Sequence, residues 1–208
     1  DPASGQAAVQ DYTAGLEKGV KGLKIGYVRQ WHETDLPAHP DMAAALEGAV
    51  DLLKADGAEI KDMAAPPLGE LAATNRVVLT SEAYAIHRKW LAERPGDYSK
   101  STRDRIMPGA FITAAEYIDA NRQRLRYREM FRRMLAEVDV LICASSMDPA
   151  CEIDDEAEVA RTYGRQARAP FNLLGLPALA LPTGVSNGGL PLSMQVVGRA
   201  FDEATVYR

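Results

Sequence analysis

The stretch Leu23-Lys-Ile-Gly-Tyr-Val-Arg29 alternates apolar with polar or small residues and carries β-formers, the pattern of a strand. Beyond a loop with His32, Pro37 and Pro40, Asp41 is placed to cap a helix. The apolar stripe of that helix is Ala45, Leu46, Ala49, Val50 and Leu53, and Gly57 stops it. Residues 58–63 read as a second strand. Strand, helix and strand at this spacing make a βαβ-like unit, so the class is α/β with a mixed, partly parallel sheet flanked by helices.

The rest of the chain fits that class. Pro66 and Pro67 introduce a long helix over residues 68–93, closed by Arg94-Pro95-Gly96. Thr113 and Glu116 form a capping-box pattern for a helix to about Glu137, with Tyr127, Met130, Phe131, Met134, Leu135 and Val138 along its apolar side. Residues 139–143 read as a short apolar strand. The acidic run Asp154, Asp155, Glu156 and Glu158 opens a helix that gives way to Leu176-Pro177. Residues 178–182 and 190–197 read as two strands joined by a turn-rich loop. Asp202 is placed to cap a last helix that runs to the final residue after less than two turns.

Composition narrows the class of protein. With 208 residues, 47% hydrophobic and 25% charged, the chain is long enough for one substantial core. No apolar run approaches the roughly 20 residues of a membrane helix. The net charge of −5 and a pI near 5.3 argue against a basic nucleic-acid surface. Cys143 and Cys151 are too few for a disulfide framework and fit no common zinc spacing, which favours a reducing, cytoplasmic setting. The opening residues Asp1-Pro-Ala-Ser-Gly-Gln6 have neither an initiator Met nor the pattern of a signal peptide. With that start and the short last helix, a piece of a longer protein is expected.

No Gly-x-Ser-x-Gly elbow, Walker loop, His-Glu-x-x-His or dinucleotide fingerprint occurs. The series Gly15, Gly19, Gly22, Gly26 precedes a strand, not a helix N-terminus, and reads as a lead-in instead of a phosphate cradle. His32 and His39, with Glu33, Asp35 and Asp41, carry the chemistry of metal ligands. The loop and its two prolines favour the plainer reading of surface residues, so no metal or other cofactor is expected. His87, between Ile86 and Arg88, reads as a partly buried, hydrogen-bonded histidine. Residues 88–133 hold twelve Lys and Arg against six Asp and Glu, and Arg122, Arg124, Arg126, Arg128, Arg132 and Arg133 raise an RNA-binding hypothesis. Residues two apart point to different sides of a helix, so a solvated, salt-bridged helix is preferred and nucleic acid is not. Ser145-Ser146 has no base placed beside it and reads as a strand-end loop.

One resemblance draws these segments together. Pro170-Phe-Asn-Leu-Leu-Gly-Leu-Pro-Ala-Leu-Ala-Leu-Pro-Thr-Gly184 is followed by Gly189-Leu-Pro-Leu-Ser-Met-Gln-Val-Val-Gly198. Together they resemble the Asn-x-x-Gly-x-Pro, Pro-x-Gly and Gly-Leu-Pro-x-x-x-Gln-x-x-Gly series of the amidase signature family. Lys21-Gly-Leu-Lys-Ile-Gly26, Ser81-Glu-Ala83, Arg105-Ile-Met-Pro-Gly109 and Val138-Asp-Val-Leu141 add to it, and the match spans essentially the whole chain.

The resemblance implies the C-terminal segment of one amidase-type α/β domain, residues 1–208, incomplete at both ends. It implies hydrolysis of a carboxylic amide by a serine activated through a second serine and a lysine, with backbone N–H groups holding the oxyanion. Those residues lie upstream in the family, and no Gly-Gly-Ser-Ser-Gly-like run occurs here. Lys89 and Lys100 stand in the wrong context, Ser145-Ser146 replaces the usual Pro-Thr, and no catalytic residue is assigned. The chain alone is therefore expected to be inactive. What carries over is pocket wall: Arg105 matches an arginine that faces the pocket in members acting on carboxylate-bearing substrates, where a guanidinium clamps a carboxylate. Arg165 and Asn172 are the other substrate-binding candidates, while Gly175 and Pro177 shape the adjacent turn. The implied partners are a small-molecule amide and the N-terminal half of the same protein, with a homodimer left open. The alternative is a non-catalytic binding module or one component, the amidase-like one, of a tRNA-dependent amidotransferase.

Overall fold

The computed structural model describes residues 5 and 8–208, so the reading of residues 1–6 lies, Gly5 apart, outside them. Strands β1 (Lys24–Tyr27), β2 (Glu59–Asp62), β3 (Val140–Ala144), β4 (Ala178–Val185) and β5 (Pro191–Val197) form one sheet in the order β2-β1-β3-β5-β4. β1 is parallel to β2 and β3, whereas β5 is antiparallel to β3 and β4. The sheet is thus mixed and partly parallel, as the βαβ reading requires.

Helices α1 (Pro40–Ala55), α2 (Leu68–Glu93), α3 (Lys100–Ile106), α4 (Ala114–Glu137), α5 (Glu156–Tyr163), α6 (Ala169–Leu174) and α7 (Glu203–Tyr207) complete the fold. α1 packs on β2, β3, β4 and β5, while α2, α4 and α6 pack on one another. β3 is buried at every position, so both its faces are covered and its sequence is an unbroken apolar run. Trp31, Phe131 and Phe171 meet with ring centroids 5.8–6.3 Å apart, joining the segment after β1 to α4 and α6.

The long helices start and stop where their punctuation predicts. At α4 the Thr113 hydroxyl accepts from Glu116 N–H at 3.2 Å and the Glu116 carboxylate accepts from Thr113 N–H at 2.7 Å, a complete capping box. Four local expectations are corrected. α1 is capped by His39, whose Nδ1 accepts from Asp41 N–H at 3.2 Å, and Pro40 opens the helix. Asp41 instead accepts from the backbone N–H and Nδ2 of Asn187, at 2.8 and 2.7 Å, and ties the β4–β5 loop to α1. The helix expected from Asp154 to Leu176 is two, α5 and α6, interrupted where Ser146 bridges to Gln166. Met130 is 46% exposed, off the stripe where Tyr127, Phe131, Met134, Leu135 and Val138 are buried. Asp202 precedes α7 without capping its backbone, its carboxylate accepting from Thr205 Oγ1 at 2.7 Å instead.

β4 also runs longer than residues 178–182, passing Pro182 and Gly184 through an irregular register to Val185. Proline is tolerated there because β4 is an edge strand. Gly175 ends α6 in the left-handed conformation, φ +69°, which only glycine adopts freely, and so turns the chain into β4.

His32 departs furthest from its surface-loop reading. Residues Trp31–Asp35 form a π-helical turn, and His32 is 2% exposed. Its ring stacks on Tyr27 at 5.5 Å, with Nε2 3.1 Å from the Tyr27 oxygen, which donates to Glu47 at 3.0 Å. Nδ1 is buried without a partner among the described residues. Arg29 lies over the Tyr27 ring and pairs with Glu33 at 3.2 Å and with Glu47.

This packing makes two predictions. A Cβ at Gly109 would strike the Thr80 carbonyl and come within 2.7 Å of Tyr84 Cβ, so Gly109→Ala lowers stability by about 1–3 kcal/mol, read as a lower urea midpoint. Burial, above all, holds the His32 imidazole below its ordinary value of 6.5, against the pull of Glu33 and Glu47. The fold prefers neutral His32, so its contribution is full above pH 6.5 and is lost as pH falls through the lower folded value. The urea midpoint therefore falls between about pH 7 and about pH 5, and falls less in His32→Asn.

Candidate functional site

The chain leaves β1 for β2 on one side and returns to β3 on the other. The carboxyl ends of β1 and β3 therefore flank a topological switch point, where open α/β sheets place ligands. A cleft of about 380 Å³ opens at this point, lined by His39 from the segment after β1, by residues 148–152 from the segment after β3, and by Asp155, Glu158 and Arg161.

Backbone bonds set the cleft floor. His39 N–H donates to Met147 O at 2.8 Å, Met147 N–H to Arg165 O at 2.9 Å, and Ala167 N–H to Ser145 O at 3.1 Å. Gln195 stands behind this floor, 4% exposed, its Nε2 donating to Ala144 O at 3.1 Å and to Ala167 O at 3.0 Å. A glutamine amide has two donors, and both are used to hold the end of β3 beside the turn into α6. Sequence reasoning named this glutamine only as part of a motif. The available signal was a long polar amide between Met194 and Val196 in β5.

Asp148 is the buried charge of the site, with its side chain 7% exposed. It accepts from Arg165 Nε at 2.6 Å and from Arg161 at 3.4 Å. Arg165 also donates to Pro37 O at 2.6 Å, so its guanidinium joins the segments after β1 and β3. Arg161 forks onto Glu158 at 2.6 and 2.9 Å and holds that carboxyl below its usual range. The cleft wall carries Asp148, Glu152, Asp155 and Glu158 against Arg161.

Of the predicted substrate-binding residues, two converge on α5 and one does not. Arg165 borders the cleft through Asp148. Arg105, exposed on α3, lies over Tyr163 with its Cζ 3.9 Å from the ring centroid and donates to the tyrosine oxygen at 2.9 Å. Asn172 is exposed on α6, and its side chain makes no hydrogen bond among the described residues. None of the three lines the cleft directly.

The other candidates resolve as structure. Ser146 donates to Arg165 O at 3.4 Å, and Ser145 is 7% exposed, a buried residue and not a loop tip. No serine hydroxyl is hydrogen-bonded to a lysine or histidine among the described residues, so the arrangement can bind and orient but has no paired nucleophile. Lys89 is exposed and Lys100 pairs with Asp104 at 2.6 Å. His87 meets the Tyr98 hydroxyl at 2.9 Å, in line with its partly buried reading. His32 and His39 do not come together. His32 instead comes within 4.8 Å of Glu33 and Glu47, a set of possible ligand atoms whose carboxylates Arg29 already neutralises. On α4, Arg122 pairs with Asp119, Arg126 with Gln123, and Arg132 and Arg133 with Glu129, whose carboxyl their bonds pull down to about 2. Arg124 donates to Leu173 O at 2.6 Å, tying α4 to α6.

Among the described residues no helix is long and apolar enough to cross a membrane. A family model described as Amidase matches residues 1–207. The A subunit of glutamyl-tRNA(Gln) amidotransferase from Myxococcus xanthus is 31% identical over 234 aligned positions, covering all of this chain and 48% of that protein. An amidase of Pseudomonas putida is 31% identical, covering all of this chain and 46% of its own length. Among solved structures, a chain from a vestigial complex bearing on the origins of an s-triazine catabolic enzyme superposes with a TM-score of 0.85 at 26% identity, over all of this chain and 46% of that one. The corresponding amidotransferase protein of Thermotoga maritima gives 0.74 at 28%, over 94% of this chain and 42% of that one. The chain spans about half the length of the curated relatives it matches, and it belongs to the amidase family.

Proposed function

We propose that residues 1–208 form the C-terminal segment of one amidase-type domain that hydrolyses a carboxylic amide to a carboxylate and ammonia or an amine. One observation carries the reading: residues 1–207 match the family, yet they hold no Gly-Gly-Ser-Ser-Gly-like run. The nucleophilic serine, its bridging serine and the lysine then come from an upstream half. This segment supplies sheet and pocket wall at the carboxyl ends of β1 and β3. Arg105 takes a substrate carboxylate, Arg165 with Asp148 sets the wall behind it, and Asn172 edges the site. The two free thiols, Cys143 and Cys151, accord with a reducing cytoplasmic setting.

A second reading is favoured by the glutamyl-tRNA(Gln) amidotransferase proteins among the relatives, such as those of Myxococcus xanthus and Neisseria meningitidis. In it the segment serves a larger tRNA-dependent assembly. Salt-sensitive tRNA binding weakened by Arg128→Ala supports this alternative, and binding indifferent to both removes it.

The main reading is tested on a panel of simple amides. The chain alone shows no turnover, whereas the chain joined to its upstream coding sequence turns over amides and prefers those bearing a carboxylate. Arg105→Ala then raises KM for the carboxylate-bearing amide by roughly tenfold or more, as loss of a charge-assisted contact does. Turnover by the 208-residue chain, abolished by changing one of its own residues, overturns the assignment of the chemistry upstream.

A further inference from the structure

α5 buries none of its residues, so apolar packing does not hold it. Its anchors are polar: Arg161 on Asp148, the Thr162 hydroxyl 3.6 Å from Cys151 Sγ, and Tyr163 on Arg105. The last is the only hydrogen bond that the Arg105 side chain makes among the described residues. Tyr163 is 51% exposed, a large aromatic placed at the surface with a guanidinium across its face. The ring holds the cation over its face and the hydroxyl oxygen accepts from NH1, so two contacts of one tyrosine restrain the guanidinium. NH1 is engaged in this way, while Nε and NH2 have no protein partner among the described residues and form the edge that receives a carboxylate in a fork.

We infer that Tyr163 is a positioning residue for Arg105: it orients the guanidinium so that the Nε/NH2 edge is presented to a carboxylate-bearing ligand. The inference rests on the proposed role of Arg105. Tyr163 does not touch the ligand, and its effect is exerted through the arginine. A flexible arginine loses side-chain entropy when it clamps a carboxylate, and a stacked one has lost much of it beforehand. Asp148 acts one step further back by holding Arg161, and hence α5, in place.

The test has two parts that fail separately. In the 208-residue chain, the Arg105 Nε–Hε cross-peak, assigned with Arg105→Lys, stands apart from those of exposed arginines. It collapses onto them in Tyr163→Ala and stays apart in Tyr163→Phe, which keeps the ring. In the form that turns over amides, Tyr163→Ala raises KM for a carboxylate-bearing amide by about tenfold, with kcat little changed and KM for the neutral analogue unmoved. Tyr163→Phe falls between. A cross-peak unmoved in Tyr163→Ala overturns the inference whatever the kinetics, as does a KM that rises equally for both amides. If Arg105→Ala itself leaves the carboxylate preference intact, the role proposed for Arg105 fails, and the cross-peak still decides whether Tyr163 holds it.

Discussion

The carboxylate of Asp148 is the contact on which the site depends. It lies just beyond a strand buried along its whole length, and it is compensated by Arg165, which reaches across to Pro37 O in the segment that follows β1. Two parallel strands separated by more than a hundred residues of chain are thus tied at their carboxyl ends by side chains as well as by backbone bonds such as His39 N–H to Met147 O. A buried carboxylate deprived of its partner costs on the order of 3 kcal/mol, so this contact is also a constraint on what the neighbouring loops can become. The backbone bonds from Met147 and Ala167 and the Gln195 amide then fix the remaining freedom of the same loops.

Arginine does different work in different parts of this chain, and the difference follows from burial and partner. On α4 most guanidiniums meet acids or amides three or four residues away, at the surface, where such pairs contribute little. Arg124 leaves that pattern, and Arg199, which lies beyond β5 and also pairs with Asp202 at 3.5 Å, reaches back to α4. Arg124 donates to Leu173 O near the end of α6, and Arg199 donates to Leu135 O at 3.0 Å and Val138 O at 2.6 Å, satisfying carbonyls that the end of α4 leaves open. Arg105 stands apart from both groups, since its partner is an aromatic ring and most of its donors remain free.

The fold was largely legible because its signals are local. The Thr113–Glu116 box, the prolines before α2, the alternation of β1 and the apolar run of β3 each state their element within a few residues. What escaped was decided by contacts distant in sequence. Asp41 resembles a cap until Asn187, 146 residues away, claims its carboxylate and leaves the cap to His39. His32 resembles a loop residue until the turn Trp31–Asp35 folds it under Tyr27. The candidate site divides in the same way. Arg105, Arg165 and Gln195 stood out by likeness to a family motif, whereas the contacts of Tyr163 and Asp148 are made across the fold, and no spacing announces them.

The two cysteines form a natural pair of clocks. Cys143 sits in β3, 1% exposed, and burial pushes its thiol far above its ordinary range, so a thiolate-seeking reagent can reach it only when the strand comes apart. Cys151 lies in the cleft wall, part exposed, on the light attachment that carries α5. Alkylation of the second therefore proceeds on the folded protein, whereas alkylation of the first follows the opening of the sheet, within one molecule and without any substitution.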